Sequence, residues 1–166
     1  MFSKRVAISS FCVYNYLMKC LILTNYPITK EEAFYITNYT RNIHKVAINW
    51  HAQNLNPDVR ICTDYILKDL YDKTTEPIYS VRDRSILSPR VKFLDVEFKG
   101  ATILAAIDYA KLKGYDNILL VADNTVHSKS FQKLVNSHIV NDGKIYQCSN
   151  GNFNLPVKPI KEWILN

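Results

Sequence analysis

Short apolar runs broken by polar turns alternate along this chain with stretches whose apolar residues recur every three or four positions. KCLILT, residues 19–24, has the uninterrupted apolar character of a buried strand. TKEEAFYITNYTR then changes period, and Thr29 with Glu32 forms a capping box, so a helix is predicted to start there. KVAIN predicts a second strand, WHAQNLNP a polar loop, and DVRICTD a third strand with Asp64 at its end. DYILKDLYD suits a short helix with Ile66, Leu67 and Leu70 as its apolar stripe, and PIYSV predicts a fourth strand entered from a proline. RDRSILSPRVKFLD shows no clear period and reads as irregular. GATILAAIDYAKLKG places Ile103, Leu104, Ile107, Ala110 and Leu112 largely on one helix face, with Gly114 as the C-terminal stop. DNILLVAD is the most hydrophobic strand, expected to be buried on both faces. A helix starting near Thr125 and covering SKSFQKLVNSHI, a strand in GKIYQCS and a short helix in KPIKEWIL complete the series.

Strands alternating with helices argue for a mostly parallel sheet, because parallel neighbours need crossover connections. The expected fold class is α/β: a Rossmann-like three-layer α/β/α arrangement in one domain over residues 18–166, with no internal repeat and no linker. Residues 1–17 read as an N-terminal extension or a loosely packed segment. Basic residues there precede an apolar stretch, but Ser, Asn and Tyr interrupt it, unlike a targeting peptide.

The totals narrow the class of partner. At 166 residues, 48% hydrophobic and 22% charged, the chain can bury an ordinary globular core. The formal charge of +6 favours anionic partners, yet Lys and Arg are dispersed, which fits a nucleotide or nucleotide-sugar and no specific nucleic acid. The four cysteines lie far apart with no metal-ligand spacing, so a reducing cytoplasm is the expected location. No apolar run has the length of a membrane span, while peripheral membrane association stays open.

Candidate chemistry follows from one rule: open parallel sheets bind ligands outside the carboxyl ends of their strands. That selects Thr24, Asn25, Asn49, Trp50, Asp64, Asp123, Asn124, Ser149 and Asn150. A glycine-rich dinucleotide turn is missing, since no glycine precedes Gly100. Asn25 either donates its amide to a phosphate, with helix N-terminal amides behind it, or only shapes the turn before Pro27. His127, just past a predicted strand end, is either a general base with a pKa near neutrality or an exposed first-turn histidine. Asp123 either faces a ligand or caps the following helix. His51 is a loop residue, His44 and His138 read as helix-end surface residues, and Arg82, Arg84 and Arg90 meet either phosphate or solvent.

On these residues a resemblance rests. CLILTNYPIT resembles the first strand and nucleotide-binding turn of the bacterial sialyltransferases, a glycosyltransferase family, with Asn25 and Pro27 matching and Thr24 and Tyr26 replacing two glycines. VAIN with Asn49 and Trp50, and PDVRICTDY ending in Asp64, are similar to the strands and turns that follow in these enzymes and in MptE-like proteins. KGATILAAIDYAKLKGYDNILLVADN is the closest match, VHSKSFQKLV resembles the segment carrying the transferases' general-base histidine, and GKIYQCSNGN resembles the last strand and its Ser/Asn turn. The likeness covers residues 18 to about 155.

The resemblance implies a small domain binding a nucleotide-sugar donor and transferring the sugar to a carbohydrate acceptor at a bacterial cell surface. His127 would be the base; Thr24, Asn25, Asn49, Trp50, Asp64, Asp123, Ser149 and Asn150 would line the nucleotide site, with no cofactor. Only Asn124, Thr125 and Val126 separate Asp123 from His127, so the family's long lid is missing. Two alternatives stay open: a pterin-type or other diphosphokinase holding Mg²⁺ at Asp64 and Asp123, and a non-catalytic nucleotide- or partner-binding relative. Donor, acceptor and oligomeric state are not legible.

Overall fold

The computed structural model describes residues 18–24, 28–49, 52–62, 73–81, 90–96, 101–121, 129–139, 144–148 and 153–166. Seven strands form one sheet: β1 (Lys19–Leu23), β2 (His44–Ile48), β3 (Val59–Cys62), β4 (Ile78–Ser80), β5 (Val91–Phe93), β6 (Asn117–Val121) and β7 (Ile145–Gln147). Their spatial order is β5-β4-β3-β2-β1-β6-β7, and every neighbouring pair is parallel. The described helices are α1 (Lys30–Tyr39), α2 (Thr102–Leu112), α3 (Lys129–His138) and α4 (Ile160–Leu165).

Period-two alternation in β1 and β6 divides the core between two faces. On one face Leu21, Leu23, Leu119 and Val121 meet Ile36 of α1 and Ile160, Trp163 and Ile164 of α4. On the other, Cys20, Ile22, Ile118 and Leu120 join Val46, Ile48 and Ile61 against α2, with Val135 of α3. The chain steps outward from β1 to β5, returns across the sheet, and then steps the opposite way through β6 and β7. Right-handed crossovers put helices of oppositely directed steps on opposite faces, which is why α1 and α3 lie on different sides. The α/β class with a parallel sheet read from the periodicity is therefore the observed one.

Local signals account for two of the helix ends. Thr29 caps α1, with its hydroxyl accepting from Glu32 N–H and the Glu32 carboxylate accepting from Thr29 N–H. Gly114 ends α2 with φ 85°, a backbone conformation costly for residues with a Cβ. Two expectations need correction. The segment read as irregular contains β5, an edge strand only three residues long whose Lys92 and Phe93 are exposed, so it carries no apolar alternation. Leu112 is 67% exposed, because its angular position leaves the stripe formed by Ile103, Ile107 and Ala110. The helix expected over residues 64–72 and the start expected near Thr125 lie outside the described residues.

Beside β7, Gln147 organises the chain that leaves it. Its backbone accepts from Lys158 N–H and donates to Pro156 O, while its buried amide donates to Phe153 O and Leu155 O and accepts from Phe153 N–H. Gln147→Leu removes both donors and the acceptor without changing the apolar volume much. Equilibrium urea unfolding is expected to show a loss of about 2–3 kcal/mol; a change within error would mean that water replaces these bonds.

Candidate functional site

Because all strands are parallel, their carboxyl ends lie along one edge, and the order reverses between β1 and β6. Thr24 stands at that reversal. Its N–H and its hydroxyl both donate to Val121 O, at 3.0 and 2.8 Å, and the residue is buried. The Thr24 hydroxyl thus ties β1 to β6. β7 follows directly, with Cys148 N–H donating to Leu120 O.

Asn49 ends β2 in the left-handed region at φ 48°, a conformation asparagine tolerates better than most residues. Its N–H donates to Ile61 O of β3, and its Nδ2 lies 3.5 Å from Thr102 Oγ1 in the first turn of α2. The carboxyl edge of β2 and the N-terminus of α2 therefore meet. The N-cap of α2 is Ala101, whose side chain makes no capping bond, and no acid occupies its first turn. The N-terminus of α1 differs: Glu31 and Glu32 sit in its first turn, and the Glu32 carboxylate already accepts from Thr29 N–H. The helix dipole that favours an anion is thus offset by carboxylates in the first turn of α1 and not by any in the first turn of α2.

The sequence reading missed Arg60 and Glu76. Arg60 has 0% side-chain exposure inside β3, where its Nε donates to Glu76 Oε1 at 2.6 Å, its Nη2 lies against the same oxygen, and its Nη1 donates to Asn49 O. A guanidinium in a strand buried on both faces demands an acid within reach, so the arginine in VRIC was itself the signal. Arg90 was a phosphate candidate; it instead donates to Thr74 O and Thr74 Oγ1. Burial pushes the Cys148 pKa up to about 12, which disfavours that thiol as a nucleophile. Asn25, Trp50, His51, Asp64, Arg82, Arg84, Asp123, Asn124, His127, Ser149 and Asn150 lie outside the described residues. Of the nucleotide-site candidates, the described pair Thr24 and Asn49 both stand at carboxyl ends of adjacent strands.

The amino edge carries a different cluster. His44 opens β2, correcting its reading as a helix-end surface residue; it is half-buried, parallel to the Tyr115 ring at 5.0 Å, with Nε2 3.3 Å from Tyr109 Oη and Nδ1 3.7 Å from Asp58. Burial lowers its pKa, Asp58 opposes that, and Lys113 and Lys45 reinforce it. A histidine whose folded pKa is depressed takes up a proton more readily when unfolded, so stability falls as pH drops through the ordinary value of 6.5. Melting temperatures across that range are expected to fall on acidification, and His44→Phe should flatten the profile. A profile identical in the variant would assign the dependence elsewhere. A cleft of about 400 Å³ lined by Asp58, Arg60, Lys73, Thr74 and Glu76 opens on the same side.

Among the described residues no helix is long and apolar enough to cross a membrane, and no three His, Cys, Asp or Glu side chains gather as a metal site. The fold and edge define a doubly wound, Rossmann-like parallel α/β protein with its strand-order reversal at Thr24. No protein-family model, curated protein or solved structure matches the chain.

Proposed function

We propose that this protein binds a nucleotide or nucleotide-sugar in the crevice between the carboxyl ends of β1 and β6 and acts as a small glycosyltransferase on a carbohydrate acceptor. The observation that supports the binding site is the reversal of strand order at Thr24, with α1 and α3 packed on opposite faces of the sheet, the arrangement at which open α/β sheets bind ligands. Asn49 supplies an amide beside that crevice, and the first turn of α2 supplies backbone N–H groups for a phosphate. Transfer itself rests on the sequence resemblance, with His127 as base and Asn25, Trp50, Asp64, Asp123, Ser149 and Asn150 completing the nucleotide site. The cytoplasm, where nucleotide-sugars are made, is the matching location.

A panel of nucleotides and nucleotide-sugars, with and without Mg²⁺, tests this by thermal shift. A pyrimidine nucleotide at one hundred times its Kd is expected to stabilise the fold by about 2.7 kcal/mol. Asn49→Ala should raise the Kd about tenfold, the consequence of losing one hydrogen bond to a charged group, and so cut that stabilisation to about 1.4 kcal/mol at the same concentration. A flat response across the panel rejects the nucleotide site. Turnover that depends on Mg²⁺ would replace the glycosyltransferase with a diphosphokinase, and binding without turnover would leave a nucleotide-binding relative.

A further inference from the structure

We infer that Arg60, held by Glu76, is a positioning residue that presents Asn49 to the nucleotide, an inference that rests on the site proposed above. Arg60 pairs in register with Ala47, two residues before Asn49, so its side chain runs beside the end of β2. The peptide groups of Asn49 are held on both sides: the N–H by Ile61 O and the carbonyl by Arg60 Nη1. With both fixed, the left-handed backbone at φ 48° is set, and the Asn49 side chain is aimed at Thr102 and the start of α2.

Only a planar, forked cation does this. The same guanidinium donates Nε to Glu76, holds Nη2 against the same oxygen and donates Nη1 to Asn49 O, whereas a lysine ammonium has no fixed fork to span the two. Arg60 has no exposed side-chain surface, so it does not meet a ligand at the carboxyl edge; it acts through Asn49. Glu76, just ahead of β4, fixes the guanidinium in that plane, and its second oxygen accepts from Thr75 N–H. A charge pair buried between β3 and the approach to β4 thereby sets the conformation at the end of β2. Buried partners of this kind commonly hold a contacting group in its productive geometry.

Arg60→Lys and Glu76→Gln, with cytidine diphosphate as the probe, test the assignment. Amide hydrogen exchange at Asn49 is expected to speed up about tenfold in both variants while Leu21 and Leu119 keep their protection, the signature of local rather than global opening. The Kd for cytidine diphosphate should rise about tenfold in Arg60→Lys, and adding that change to Asn49→Ala should cost less than about twofold more, since the two act on one contact. Wild-type protection of the Asn49 amide in both variants overturns the positioning role whatever the ligand does. Losses in Kd that multiply in the double variant also overturn it, because they mark two independent effects. A wild-type protein that ignores cytidine diphosphate rejects the nucleotide reading instead, and exchange at Asn49 still decides whether Arg60 holds it.

Discussion

Glu76→Ala is expected to lower the free energy of unfolding by about 3–5 kcal/mol, because it removes the carboxylate that meets the buried Arg60 guanidinium inside the sheet. The geometry justifies so large a figure: Arg60 is fully buried, Glu76 is 11% exposed, and one carboxylate oxygen meets both Nε and Nη2. Asn49 O, which also accepts from this guanidinium, is a neutral acceptor and does not neutralise the charge. Replacing both partners with methionine should recover most of the loss, since desolvating two ions offsets much of their attraction. Guanidinium unfolding of the wild type, Glu76→Ala and the double variant separates the cases. A single-variant loss below about 1 kcal/mol, the range of exposed pairs, would mean that solvent reaches the arginine.

The second large effect concerns the end of the chain. Trp163 of α4 is 1% exposed and packs in the core formed by Leu21, Leu23, Ile36 and Leu119. Its Nε1 donates to Asn117 Oδ1 at 2.7 Å, and Lys19 Nζ, at the start of β1, donates to Trp163 O at 2.8 Å. A cation at a helix C-terminus satisfies carbonyls that the helix itself leaves unpaired. Trp163→Ala should cost about 3–5 kcal/mol, from lost burial and the cavity left beneath α4. For a domain of this size that corresponds to roughly 10 °C in Tm. Trp163→Phe keeps most of the volume and strands only the Asn117 acceptor, so a loss of about 1–2 kcal/mol is expected. Equal losses in both variants would show that the hydrogen bond, and not the packing, holds α4.

Much of the architecture was legible because its signals are local. The capping box at Thr29 and Glu32, the stop at Gly114 and the apolar run in NILLV each act within a few residues, and each is found as read. β5 was not legible: three residues at a sheet edge bury one face of Val91 and expose their neighbours, so pairing with β4 alone makes them a strand. His44 was misplaced for the same reason, since only the stacking of Tyr115 and the proximity of Tyr109 and Asp58 distinguish it from a surface histidine.

At the candidate site the division is sharper. The rule that ligands gather at strand carboxyl ends was enough to pick Thr24 and Asn49 from the sequence. It left open whether Asn25 meets a phosphate or only shapes the turn, and that residue lies outside the described ones; what the structure adds is that Glu32 turns back into the N-terminus of α1 and that the N-terminus of α2 meets Asn49. Those two residues are far apart in the chain, and only the return crossover from β5 to β6 brings α2 across the sheet to β2.

By itself the sequence determined the α/β class and the parallel sheet, because hydrophobic period and helix caps are properties of neighbours along the chain. Tertiary structure alone decided that the order reverses at Thr24, that α2 and not α1 presents its amides beside Asn49, and that Arg60 reaches both Glu76 and Asn49 O. Each of these depends on which strands lie side by side, and strand order comes from packing energies summed over the whole sheet, which no local pattern encodes.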